Sequence, residues 1–422
     1  MDRYVHSALG PRDRDRLPPG PLLGRALDYV AREEWRAARA VLDRAAEDPA
    51  ERRRAQYLLW EVCQVLGEPD PAARALRAAL REDPVTTRFS PAPRRRILAL
   101  AAPGDFQANL PLGALLEAPE IELHTLWLTD PATVLRDPAA AFAGPPPAFD
   151  CVFIAIAEDP RHHQALAAAD RLAAALDVPV INSGAGIAAL SRQGVAERLR
   201  GLADAVVPPQ ALLDRAALEA GPALDWPVII RPEHSHAGQG LARLDGPAAL
   251  AAYLRRTEAA RCHLAPFVDY RSADGHWRKY RIILVDGEPW PCHLAVHDDW
   301  TIWYYNARME LAPWKRAEEA RFLGDFAAAF PAPARRALQG IAARIGLDYC
   351  GIDCGLLPDG RLVLFEVETG MIVHGWDRPG LYPYKRRAVQ AIAGAVERLI
   401  DRRIAAWPAR TGRACQLAEG GL

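Results

Sequence analysis

Two segments in the C-terminal half of the chain each set an Asp-Gly dipeptide between alternating apolar runs: RKYRIILVDGEPWPCHLAVH (278–297), with the dipeptide at 286–287, and YCGIDCGLLPDGRLVLFEVE (349–368), with it at 359–360. Asp-Gly accepts the backbone that a tight hairpin turn demands, and a period of two turns one face of each strand to a core. Each segment therefore predicts a β-hairpin, and the helical pattern ARRALQGIAARIG (334–346) lies between them. Hairpins and helix together predict an α+β region. Upstream the pattern differs. ILALAAPGDF (97–106), ELHTLWL (122–128), CVFIAIA (151–157) and VPVIN (178–182) read as short strands, with the helical HHQALAAADRLAAALD (162–177) among them. Strand and helix alternating at this spacing predict a parallel, doubly wound α/β sheet.

The first ninety residues read as helices. Leu27, Val30, Ala37, Val41 and Leu42, then Leu58, Leu59, Val62, Val65 and Leu66, then Ala72, Leu76 and Leu80 recur at helical spacing. AARA at 37–40 and EDP at 47–49 return as AARA at 72–75 and EDP at 82–84, an offset of 35 residues. That period, with an Ala-rich second helix ending in Asp-Pro, resembles the helix–turn–helix unit of tetratricopeptide repeats. Two such units are few for a free-standing solenoid, because each buries its apolar face only against a neighbour. The pair is expected to lean on the next domain, either as a helical cap or as a module for a protein partner. The expected layout is a helical region over 1–90, a doubly wound α/β domain over 91–205, an α+β domain over 206–405 and a C-terminal tail over 406–422.

Composition narrows the function. Of 422 residues half are hydrophobic and a quarter charged, which suits a globular chain of two or three domains. Basic and acidic residues number 52 and 53, so no overall field recruits nucleic acid or an anionic membrane. No apolar run of 18 residues occurs and the opening MDRYVHSALGPRDRDRLPPG carries charges throughout, so no membrane span is expected and the reading is cytoplasmic. The seven cysteines are scattered without a C-x-x-C pair, and Cys350 and Cys354, four apart on one face of an expected strand, read as reduced core residues rather than a metal clip. Only three residues are lysine. Lys315 and Lys385 are expected to be solvated surface charges, whereas Lys279 stands inside a motif.

Three motifs carry chemistry. Asp353 lies on the first strand of the second hairpin, and Glu366 and Glu368 share a face of its return strand. With Asp353 beside them across the ladder, three carboxylates meet among apolar neighbours, a cluster that needs cations. Oxygen-only ligands suit Mg²⁺ held together with a substrate phosphate. Next, PVIIRPEHSHAGQGLARL (227–244) runs a strand into Arg231 and then a loop with Ser235, His236, Gly238 and Gly240. Small residues let backbone N–H groups approach an anion, and arginine adds a fork of donors. Third, HLAPFVDYRSADGHWRKYRI (263–282) offers two acids for a ribose, Asp269 and Asp274, before a strand with Lys279 and Arg281 on one side.

Taken together these segments resemble the ATP-grasp superfamily over roughly residues 92–400. The resemblance implies a Rossmann-like pre-grasp domain, two lobes that hold ATP between them, and ATP with Mg²⁺ as cofactors. It implies a ligase that joins a carboxylate to an amine through an acyl-phosphate, releasing ADP and phosphate. INSGAGIAALSRQGVAERLRGLADAVVPPQ (181–210) looks like the opening of the grasp, and Arg192 matches its first basic position, commonly lysine in relatives. Arg231 matches the second basic residue and Arg281 the one after the hinge. These two carry the catalytic roles, while Arg192, Arg231, Ser235, His236, Gly238, Gly240 and Lys279 hold nucleotide. Ala265, Pro266, Phe267 and Val268 are similar to the adenine hinge, with Asp269 on the ribose. Asp353, Glu366 and Glu368 match the metal ligands. Glu368 departs from the usual Asn and adds charge there. The substrates implied are a small-molecule or peptide carboxylate and an amine, and dimers are common in the superfamily.

Substrate choice falls to PCHLAVHDDWTIWYYNARM (291–309), with His293, His297, Trp300, Tyr304 and Tyr305, and to TGMIVHGWD (369–377), with His374. Two other readings stand beside this one. Gly184-Ala-Gly186-Ile-Ala-Ala189 follows a strand and satisfies G-x-G-x-x-A, the signature of an NAD(P)-dependent enzyme. A non-catalytic nucleotide-binding scaffold, with the helical repeats recruiting a partner, would account for Arg192 and Glu368.

Overall fold

The computed structural model describes residues 19–408 apart from 236–237, 304–305, 374–376 and 379. The chain divides into two units, residues 1–188 with 393–422 and residues 189–392.

In the first unit the helical periodicities form four helices, Pro21–Ala31, Trp35–Ala45, Arg52–Val65 and Pro69–Ala79, and the two AARA stretches fall in the second helix of each successive pair. Proline opens the first and the last, at positions where a missing N–H breaks no helical bond. Their buried faces, Ala26, Val30, Ala38, Leu42, Leu58, Val62 and Leu76 among them, share one core with Ala101 and Trp127 of the adjoining sheet. The Trp60 ring lies 5.4 Å from Trp127 and 5.6 Å from Phe106, and its Nε1 donates to the Gly104 carbonyl at 2.9 Å. The helical region is thus anchored through an aromatic cluster at the strand ends.

That sheet contains β1 (Val85–Arg88), β2 (Arg95–Ala101), β3 (Ile121–Trp127), β4 (Cys151–Ile154) and β5 (Val180–Ile181), in the order β1-β3-β2-β4-β5. Strands β2 to β5 pair in parallel, as their unbroken apolar runs predict. Strand β1 corrects the all-parallel expectation. It lies antiparallel to β3 at the edge, and its Val-Thr-Thr-Arg, half-buried throughout, lacks the apolar run that marks the interior strands. The GAGIAA segment begins a five-residue helix, Gly184–Ala188, but its leading N–H groups are taken. Gly184 and Ala185 donate to the Asp170 carboxylate at 2.6 and 2.8 Å, and a Cβ on Gly184 would lie 2.1 Å from the Leu166 carbonyl oxygen. Glycine here serves a close helix contact, and the donors that a dinucleotide pyrophosphate would need are occupied.

In the second unit, β7 (Ala211–Asp214), β8 (Val228–Pro232), β9 (Ala242–Leu244) and β10 (Arg261–Pro266) form an antiparallel sheet in the order β7-β10-β8-β9. The predicted hairpins form β11 (Trp277–Val285) with β12 (Glu288–His297), and β13 (Tyr349–Leu356) with β14 (Leu362–Glu368). They join one sheet, β12-β11-β13-β14-β6, where β6 is Ala205–Val206. Asp286 and Gly287 both adopt positive φ, 54° and 79°, the backbone their turn requires. One face of this sheet buries Ile282, Leu284, Leu294, Ile352 and Leu364 in a core with Leu338 and Ile341 of the helix Ala332–Ile345.

The two lysines expected at the surface are buried instead. Lys315, 8% exposed on the helix Pro313–Gly324, donates from Nζ to the Ala307 carbonyl at 3.0 Å. Lys385, 3% exposed at the start of the helix Lys385–Ala406, lies 2.7 Å from Asp377 and 3.3 Å from the fully buried Glu319. Partner carboxylates, one of them 66 positions away in Glu319, make burial tolerable, and a solitary lysine in a sequence does not disclose them. The six described cysteines are free and buried, Cys350 and Cys354 among them as expected. Among the described residues no helix is long and apolar enough to cross a membrane.

Candidate functional site

The strand registers of the second unit place four polar residues in one transverse row. His293 pairs with Arg281, Arg281 with Asp353, and Asp353 with Glu366, across β12, β11, β13 and β14. Cross-strand partners share a sheet face, so the row stands opposite the apolar core. Irregularities in register fall between Arg281 and Ile282 and between Asp353 and Cys354. Such bulges re-aim side chains and recur beside active sites.

Asp353 is 1% exposed. It accepts a forked pair of bonds from Arg281, at 2.8 and 3.0 Å, and Lys279 Nζ lies 2.6 Å away. Burial alone would raise its pKa, but Arg281 and Lys279 outweigh that and hold the carboxyl well below its usual range. Glu366 is paired with Arg192 Nη2 at 2.5 Å. Ser191 caps the helix Arg192–Arg198 by accepting from the Gly194 N–H at 3.1 Å, which fixes Arg192 at its first position. Burial pushes the Glu366 carboxyl up, Arg192 and Arg231 pull it further down, and the net is below the ordinary value.

Arg231, on β8, donates from Nε to Ser235 Oγ at 3.1 Å and from Nη2 to the Ser235 carbonyl. Burial and the neighbouring Arg192 lower its pKa to about 10. The loop beyond needs its glycines. Gly240 has φ +65°, and a Cβ there would approach Pro232 Cδ to 2.7 Å, while Tyr253 donates to the Gly240 carbonyl at 2.8 Å. Gly238 has φ +77° and sits against the Trp303 ring.

The remaining expected residues separate. Ala265 and Pro266 end β10, and Phe267 lies under the Arg243 guanidinium, 4.3 Å from the ring centre, with Trp300 at 5.5 Å. Val268 follows, half-buried, and Asp269 is exposed, bonded to Arg271 at 3.1 Å. Asp274, the other ribose candidate, is engaged by Arg278 at 2.7 and 3.0 Å. The Arg278 bonds hold its carboxyl far below the ordinary range. Glu368 turns back on its own backbone, accepting from the Thr369 and Gly370 N–H groups at 2.7 and 3.1 Å, so only Asp353 and Glu366 of the three carboxylates meet. Among the described residues no group of three or more His, Cys, Asp and Glu is arranged to hold a metal. His293 is buried in the row, whereas His297 Nδ1 accepts from the Asp299 N–H at 2.8 Å at the strand end. The Trp300 carbonyl accepts from Tyr270 at 2.8 Å. His236, Tyr304, Tyr305 and His374 lie outside the described residues.

Three contributors, Met371, Ile372 and His263, escaped the sequence reading. Met371 packs on Gly351, where a Cβ would meet it at 2.6 Å, and the Ile372 carbonyl accepts from Arg281 at 3.3 Å. His263, on β10 opposite Arg231, faces the cations of the site. Period-two spacing back from the hinge residue Ala265 is the signal that could have singled it out.

No family model and no curated protein matches the chain. The solved structures to which it is similar include two ligases and a RimK domain protein. VanG D-Ala:D-Ser ligase from Enterococcus faecalis has a TM-score of 0.45 at 13% identity, over 73% of this chain and 99% of that one. The D-alanine–D-alanine ligase from Coxiella burnetii gives 0.44 at 10% identity, over 74% and 96%. The RimK domain protein ATP-grasp from Sphaerobacter thermophilus gives 0.41 at 18% identity, over 72% and 99%.

Proposed function

We propose that this protein is an ATP-dependent ligase that joins a carboxylate to an amine through an acyl-phosphate and releases ADP and phosphate. The observation that carries the reading is the polar row, in which Asp353 and Glu366 lie side by side with Arg281, Lys279, Arg192 and Arg231 gathered about them. Oxygen donors beside an excess of cations fit an anion that arrives with a divalent metal. Arg192, Arg231 and Ser235 would bind the nucleotide phosphates, and Arg231 and Arg281 would stabilise the charge that spreads over the transferred phosphoryl group. Asp353 and Glu366 would hold Mg²⁺, which when bound neutralises phosphate charge. Ala265 to Val268 would receive the adenine and Asp269 the ribose, while Asp274, committed to Arg278, keeps the loop in shape.

The carboxylates and cations now satisfy one another. Phosphate oxygens taking over the arginines would leave Asp353 and Glu366 with oxygens to give to a metal, an exchange of partners that keeps every buried charge compensated. His293, in the same row, and His297 and Trp300 further along the chain are assigned to the substrates. The acyl-phosphate forms when a substrate carboxylate oxygen attacks the γ-phosphorus and ADP leaves; an amine nitrogen then attacks the acyl carbon, phosphate leaves and the amine loses a proton.

The test is a screen of amino acids, peptides and other acid–amine pairs for release of ADP and phosphate from ATP. Release that requires both an acid and an amine is the expected result. ATP left intact across the whole screen, with nucleotide still bound, would instead favour the scaffold reading.

A further inference from the structure

His263 has no part in the exchange just described, yet it stands among the groups that make it. Its register partner is Arg231, so both side chains leave the four-stranded sheet on one face. The imidazole Nδ1 is shielded from solvent and has no hydrogen-bond partner. The charged and titratable groups around it are Arg192, Arg231, Arg261 and His234. Glu233, the acid of that neighbourhood, is already shared by Arg261 at 3.1 Å and His234 at 3.8 Å. Burial, and after it these cations, press the imidazole pKa down to about 4. An idle ring nitrogen shut away from water costs free energy, and here it bridges nothing. Arg192 and Arg261 have carboxylate partners in Glu366 and Glu233, whereas Arg231, the register partner of His263, bonds the neutral hydroxyl and carbonyl of Ser235.

We propose that His263 is a further phosphate-side residue of the nucleotide site, taking up a proton from solvent when the phosphates enter beside Arg231 and Arg192, and donating a charge-assisted hydrogen bond to them. The inference rests on the nucleotide reading of this site. An anion among the cations reverses the local field, so the charged imidazole becomes the favoured form. If the bound pKa returns to the ordinary value of about 6.5, roughly half a proton is taken up per nucleotide at that pH, because the free protein, titrating near 4, holds almost none. Binding then tightens as pH falls, by about tenfold between roughly pH 7.5 and 5.5, through the same linkage that ties pKa shifts to stability.

The experiment is calorimetric titration of the full chain with ADP and Mg²⁺ at about pH 6.5, in buffers of different ionisation enthalpy, for wild type and His263→Gln. Wild type should take up about half a proton more than the variant, and only wild type should show the tenfold tightening. Equal proton uptake and equal pH dependence in the two overturn the role of His263 and leave the nucleotide site standing. Absence of ADP binding by wild type overturns both. If the variant does not fold, wild type alone decides, since binding without net proton uptake contradicts the proposal.

Discussion

Replacing Glu366 with alanine is expected to lower turnover at least about a thousandfold, roughly 4 kcal/mol on the barrier, while the chain keeps its fold. The two halves of that expectation have separate causes. Glu366 is 34% exposed in its side chain and its partner Arg192 21%, and an ion pair that solvent still reaches contributes about 1 kcal/mol or less. Its loss leaves Arg192 able to find water. The same carboxylate is one of the two oxygen ligands that the proposed chemistry requires, and no other described acid stands in the row to replace it. Asp353 is the poorer choice for the experiment. It is almost wholly buried under bonds from Arg281 and Lys279, so its removal would strand two cations and mix loss of activity with loss of structure. Steady-state phosphate release measured beside circular dichroism and a thermal melt separates the two effects for Glu366→Ala. Undiminished turnover in that variant would remove Glu366 from the site.

Glu319→Ala is expected to act in the opposite sense, on stability. Glu319 is fully buried, accepts the Tyr384 hydroxyl at 2.7 Å and the Leu294 N–H at 3.3 Å, and lies 3.3 Å from Lys385. Alanine would leave a hydroxyl and an N–H without their acceptor and Lys385 with Asp377 as its remaining carboxylate. Breaking a buried pair by removing one partner costs about 3–5 kcal/mol, which for a unit of about 200 residues lowers the melting midpoint by roughly 10 °C. The double variant Glu319→Leu with Lys385→Met should recover part of the loss, because it removes the two most buried charges together and leaves Asp377, 17% exposed in its side chain, to solvent. A single variant that melts within about 2 °C of wild type would show that Glu319 does not hold this network together.

The hairpins were legible in the sequence because turn chemistry and period-two alternation agreed at the same residues, Asp286-Gly287 and Asp359-Gly360. Adjacency of Asp353 and Glu366 followed from the second hairpin once its turn was placed. Other features depend on contacts that no local pattern encodes. Strand β1 is four residues of Val-Thr-Thr-Arg that become a strand only because β3 offers an edge. The burial of Lys315 and Lys385 turns on a carbonyl at Ala307 and on carboxylates at Asp377 and Glu319. Glu368 shares the strand face of Glu366, yet the Thr369 and Gly370 amides at the strand end capture it. Spacing assigned a face there; it could not weigh that competition for the carboxylate.

The scarcity of lysine has a practical consequence. All three lysines lie in the second unit; the side chains of Lys279 and Lys385 are 19% and 4% exposed, and Lys315 as a whole residue is 8% exposed. A protease that cuts only after lysine therefore meets well-shielded targets while this unit is closed, and none in the other. Its cleavage rate should follow the opening equilibrium of residues 189–392 alone. In a chain so rich in arginine, trypsin has no such selectivity.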